Sequence, residues 1–222
     1  MSGCACNEFF ACFRPHNLIV KSQSATANFT EPCAHRDLIV IHGGAMIAHL
    51  HIGHVMTNWR DTPGTRGFLP VAIDEARVAV LHAGLAAKSA SLDDIRLHAG
   101  HALHALDPAL EPKGPGAGYG VKKATAGAQQ HLDFAAKADG ATTIVTTHAA
   151  GVSSSLSSAL TLLGEAIALA QRIQSATDVA DARRSAADLA SLTQRISDEG
   201  LQPAQTAMNV ILKAEGLLGA PR

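Results

Sequence analysis

Aromatic side chains are scarce: Phe, Tyr and Trp together make up 4% of the 222 residues, with one Trp and one Tyr. A core built without them must be made of Ala, Leu, Val and Ile, small side chains that suit closely approaching helices. No run alternates apolar and polar residues as a half-buried strand would, so the fold class expected is all-α, a helical bundle of about six to seven helices. Cysteine is missing after residue 33, which excludes a disulfide framework from most of the chain. Cys4, Cys6, Cys12 and Cys33 all lie near the start, in a spacing that matches no zinc-finger pattern. Lys and Arg are scattered and the formal net charge is -1, which excludes the basic footprint of a nucleic-acid binder. Long apolar runs are lacking too. Leu38 to Leu50 is short and broken by His42 and His49, so no membrane span is expected. The first residues lack a basic stretch followed by an apolar one and a small-residue cleavage site, and the sequence as it stands reads as cytoplasmic. A native N-terminus different from this one would leave a periplasmic or secreted location open.

Residues 1–37 show no period and read as an irregular N-terminal segment; residues 38–222 read as one helical domain. Within that domain apolar density predicts a helix inside Leu38 to Trp59. A turn or loop follows at Asp61 to Gly67. Pro70 stands at a first helical position, opening a helix over Val71 to Lys88. Ser91 with Asp94 three residues on resembles a capping arrangement for a helix from Leu92 to Leu106, stopped by Asp107-Pro108. Further helices are predicted over Val121 to Lys137, Ala141 to Ser175, Asp178 to Asp198, and from Pro203 to Leu217, with Gly200 as a C-terminal cap.

Histidine is what the chain has in quantity, twelve residues. His82, His98, His101 and His104 fall on two consecutive helices. Steps of three residues turn a helix by about 300°, so His98, His101 and His104 drift around an arc and only adjacent pairs share a face. His101 with one neighbour is expected to face inward, joined by His82, while His131 and His148 supply imidazoles from the next two helices. Glu75, seven residues before His82, shares its face and is the nearest carboxylate with Asp107. His51 and His54 are also three apart, on adjacent turns of one face. His16, His35, His42 and His49 read as ordinary surface or hydrogen-bonded side chains. The chemistry this inventory points to is binding of a transition metal ion, copper, zinc, nickel or iron, by His82, His98, His101, His104, His131, His148 and Glu75. No Glu-x-x-His is present, which argues against a di-iron bundle. Haem between two histidines is the other cofactor considered, without a Cys-x-x-Cys-His attachment or many aromatics to wrap it.

Three other features bear on function. Lys113 to Lys123 holds four glycines and a proline, but Gly120 is followed by Val121, not by the Lys of a phosphate loop, so an interhelical turn is expected. Tyr119, Lys122 and Lys123 could meet an anion there. The serines from Ser153 to Ser158 near His148 lack a nucleophile-elbow pattern, so no catalytic residue is assigned. Leu81-His-Ala-Gly84, Leu97-His-Ala-Gly100 and Thr147-His-Ala-Ala-Gly151 echo one another, suggesting histidines at close helix crossings. The sequence thus reads as a non-enzymatic metal-binding bundle. The rival is a helical interaction or assembly module, with a homo-oligomer as one form, whose histidines only pack or tune a pH response.

Overall fold

The computed structural model describes residues 43–218, and the cysteines, His16, His35, His42 and the boundary at residue 37 lie outside them. Seven α-helices follow one another: α1 Gly43–Met56, α2 Phe68–Lys88, α3 Leu92–Leu106, α4 Val121–Lys137, α5 Thr143–Ser175, α6 Val179–Arg195 and α7 Gln202–Ala214. No strand occurs among the described residues, so the all-α bundle is what the chain forms.

Local chemistry accounts for the helix ends. The Ser91 hydroxyl accepts from the Asp94 amide at 3.1 Å, Thr142 does the same for Val145 at 3.2 Å, and Asp178 for Asp181 at 2.9 Å, each satisfying one of the orphan donors of a first turn. Helix α2 starts two residues before Pro70, capped by Gly67. A Cβ at Gly67 would stand 2.3 Å from the Met56 carbonyl carbon, so the end of α1 and the start of α2 cross where only glycine fits.

One sequence expectation fails between α6 and α7. Gly200 does not cap a helix; the backbone runs on through a π-helical turn, Ile196–Leu201, directly into α7. Pro203 cannot donate to a carbonyl one turn back, and a widened turn absorbs that missing bond. Gly200 itself lies against α5, where an added Cβ would come within 2.6 Å of the Ala159 Cβ.

Alanine dominates the interior, with Ala72, Ala83, Ala99, Ala124, Ala128, Ala159 and Ala166 among the fully buried side chains. Helices α2 and α3 form a hairpin, α4 bridges α1 and α5, and α6 lies against both α2 and α5. Helix α5 corrects the reading that no stretch is long and apolar enough to cross a bilayer: among the described residues it is the one helix that meets that test by length and composition. Its serines and threonines disguise a run rich in Ala, Leu, Ile and Val. In the fold its apolar stripe, from Val145 through Leu156 and Leu163 to Ile173, is buried against α3, α4, α6 and α7, the position of a core helix.

Candidate metal centres

The α2–α3 hairpin faces His82 across to His98 and His101. The Nδ1 atoms of His82 and His98 are 3.3 Å apart, and the His101 ring centroid is 4.8 Å from that of His82 and 6.0 Å from that of His98. One nitrogen from each ring lies within 4.8 Å of the others. Two imidazole nitrogens bound to one ion at about 2.0–2.1 Å stand roughly 3.4 Å apart, so the His82–His98 spacing is that of shared ligands. The His101 Nδ1 is buried without a hydrogen-bond partner.

A second group forms between α1 and α4. The Nδ1 of His131 is 3.0 Å from that of His51 and 3.2 Å from that of His54. A ring nitrogen has one in-plane position, which holds either a proton or a lone pair, so His131 Nδ1 can complete an N–H···N bond with only one of these two neighbours. Three nitrogens aimed at one another are resolved by a single cation between them. Both groups follow one rule: a pair at i and i+3 on one helix, and a third imidazole from the helix packed against it.

Electrostatics favour the neutral form of five of these rings. Burial lowers the pKa of His131 to about 4, helped by His54 and His51, which would repel a second positive charge. Burial lowers His51 as well, and lowers His54 together with the charge of His51. His82 is lowered by burial and then by His101 and His98. His101 is lowered by burial, His98 and His104, against an opposing pull from Glu111. Neutral imidazoles keep the lone pairs that a metal requires.

The remaining sequence candidates are used elsewhere. His104, 6% exposed, contacts the Glu111 carbonyl through Nδ1 at 2.7 Å and packs on Gly114, holding the loop after α3. His148 is half-buried near the start of α5 and belongs to neither group. Glu75, 2% exposed, turns to the glycine loop: its Oε1 accepts from the Tyr119 and Gly120 amides at 2.9 and 3.4 Å. A carboxylate of the chain thus occupies the N-terminus of α4, where the sequence left room for an external anion. Lys122 pairs with Asp107 at 2.9 Å, and Lys123 lies 4.2 Å from the Tyr119 ring centroid. Of the echoed glycines, Gly84 and Gly151 have nothing near their missing Cβ, and Gly100 meets only the Gln174 side chain of α5, so no close backbone approach is what these glycines serve. His51 and His54 are the residues the sequence reading left out of the site, although their spacing equals that of His98 and His101.

No protein-family model, curated protein or solved structure matches this chain significantly. The geometry alone therefore carries the functional reading: the described residues include two tri-histidine groups that could hold a metal ion.

The surroundings of the two groups differ. Around His131 the Phe68 ring stacks at 5.3 Å and 27°, Trp59 sits 4.8 Å from His131 and 4.7 Å from His54, and Phe134 lies 5.2 Å from His51. Gly127, one turn before His131, is where Phe68 rests; a Cβ there would come within 2.5 Å of the ring. Trp59 is held by its loop: its amide donates to the Arg66 carbonyl at 3.1 Å, and the Thr62 hydroxyl lies between the carbonyls of Trp59, at 2.8 Å, and Arg66, its one proton serving either. Among the described residues, His82, His98 and His101 have only one another as ring neighbours, and His101 borders a cavity of about 330 Å³ shared with Arg96, Glu111 and Lys113.

Proposed function

We propose that this protein is a non-enzymatic transition-metal binder that takes up two ions per chain, one at His82, His98 and His101 and one at His51, His54 and His131. The observation that carries this reading is the double contact of His131 Nδ1, which neutral imidazoles cannot satisfy by hydrogen bonding and a cation can. Copper, zinc, nickel and iron all accept imidazole nitrogen. Haem suits these groups less well, because its two axial nitrogens stand on opposite faces of a macrocycle whereas these three converge on one point.

Metal content of untagged protein, followed by titration with zinc, copper and nickel salts, tests the reading. Two ions are expected to bind per chain. The pair His98→Ala and His101→Ala should lower the number to one, His54→Ala with His131→Ala should do the same, and all four together should abolish tight binding. Unchanged metal content in the fourfold variant would sink the proposal. If that variant instead altered the oligomeric state, the histidines would belong to an assembly surface.

A further inference from the structure

We propose that the cavity lined by Trp59, Phe68 and Tyr119 along α4 is a binding site for a small organic cation of the quaternary ammonium class. Such binding is independent of the metal ions proposed above. Aromatic residues make up only 4% of the chain, yet its single Trp and its single Tyr both line this one cavity, with Phe68 between them. The centroids of Trp59 and Phe68 are 5.4 Å apart, and those of Phe68 and Tyr119 are 6.5 Å apart. Each ring meets α4 four residues after the last: Tyr119 at Lys123, Phe68 at Gly127 and Trp59 at His131. Positions four apart stack along one helix face, so the three rings form a wall that follows α4. Gly127 and Ala126, which also line the cavity, leave the space before that wall open. Its volume of about 650 Å³ falls within the range of roughly 300–1,000 Å³ typical of small-molecule sites.

Charge selects the kind of ligand. The face of an aromatic ring carries negative potential and attracts cations. One face here already holds a cation, since the Lys123 ammonium stands 4.2 Å from the Tyr119 centroid. The charged residues of the lining are Asp61, Asp133 and Lys123, two carboxylates against one ammonium. Asp61 meets Arg60 at 3.5 Å, and its charge adds to burial in raising the Tyr119 pKa, which places it near the phenol. Asp133 is half-buried and takes part in no ion pair among the described residues. It lies ten residues beyond Lys123, about 15 Å along the helix axis, so the excess negative charge sits at the end of the cavity away from the lysine. A metal ion or a primary ammonium holds its water tightly, and rings cannot replace that water. A quaternary ammonium presents its charge through methyl groups, which pack on aromatic walls without that loss.

Three probes of one shape and different charge test this: choline, its neutral isostere 3,3-dimethylbutanol, and the anion 3,3-dimethylbutanoate. Full-length protein labelled with nitrogen-15 gives one indole N–H signal, that of Trp59, whose shift during each titration reports binding at the cavity. Choline should bind saturably and roughly tenfold more tightly than dimethylbutanol, with dimethylbutanoate the weakest. Asp133→Asn should weaken choline about threefold and leave dimethylbutanol unchanged, while Lys123→Ala, which removes a like charge, should strengthen choline by a similar factor. Lys123 is exposed and Asp133 half-buried, and the amide spectrum itself shows that each variant is folded. Equal affinity for choline and dimethylbutanol would reduce the cavity to an apolar groove and overturn the proposal. Tightest binding of dimethylbutanoate, lost in Lys123→Ala, would make it an anion site instead. Choline shifts that never saturate, or that neither substitution changes, would also overturn it. None of these outcomes touches the metal reading, because no metal enters the titration.

Discussion

Glu215 is a carboxylate with a 6% exposed side chain, and two neighbours satisfy it: His49 Nε2 at 2.7 Å on one oxygen and the Thr142 hydroxyl on the other. Through it the first helix, the start of α5 and the end of α7 meet at one point. Truncating His49 to Ala leaves one oxygen of a nearly buried carboxylate without a donor, which costs about 1–2 kcal/mol. Urea denaturation of His49→Ala should show that loss, and His49→Gln, which retains a donor, should recover part of it; wild-type stability in the alanine variant would mean that water replaces the imidazole. Gly116 makes a comparable case without charge. Its φ is +118°, and a Cβ there would approach Glu75 Oε2 to 2.5 Å, so Gly116→Ala meets both backbone strain and a buried oxygen. A loss of roughly 1–3 kcal/mol is expected in the same assay, with metal stoichiometry unchanged, because Glu75 belongs to the loop and to neither histidine group.

Helical glycines separate the positions that matter from those that do not. Gly84 has nothing within 4 Å of a missing Cβ, so Gly84→Ala should stabilise α2 by up to about 1 kcal/mol through helix propensity. Gly127→Ala earns the same propensity gain but drives a methyl into the Phe68 ring. Overpacking of this kind costs about 1–3 kcal/mol, so the net change should be destabilising, and binding at His131 should weaken with it. Opposite signs for the two variants in thermal melts are the outcome expected; two stabilised variants would show that Phe68 moves aside freely. Nothing in the sequence distinguishes these glycines, because the difference lies in which helix passes overhead. Other features could be read directly. Helices α3 and α4 have the predicted bounds, since Ser91, Asp107-Pro108 and Gly120 act locally. His82, His98 and His101 could be grouped because a short turn makes α2 and α3 neighbours. The partner of His51 and His54 could not, because α1 packs on α4 across two intervening helices. The same limit hid the π-helical turn: Gly200 and Pro203 look like a stop and a start, and the packing of Gly200 on Ala159 of α5 is not written in the local sequence.

Five of the six clustered histidines, His51, His54, His82, His101 and His131, have folded pKa values below the free one, which makes the stability of the whole molecule depend on pH. The folded pKa of His131 is lowered from 6.5 to about 4, and those of His51, His54, His82 and His101 are lowered as well. Between the folded and unfolded values the unfolded chain binds more protons than the native one. Stability is therefore intact above the unfolded pKa and falls on acidification, for His131 as pH drops from about 6.5 toward 4. Below the folded values the native imidazoles are protonated too and the slope disappears. A bound ion steepens the loss, since protons and metal compete for the same lone pairs and acid releases the ion that stabilised the fold. Melting temperatures of metal-loaded protein should consequently drop more between pH 7.5 and 5 than those of chelator-treated protein, and the two curves should converge at the acidic end. The fourfold variant lacking His54, His98, His101 and His131 should lose both the extra stability at pH 7.5 and most of the slope. If chelated and loaded samples melt in parallel across the whole range, the histidines do not hold an ion in the folded state.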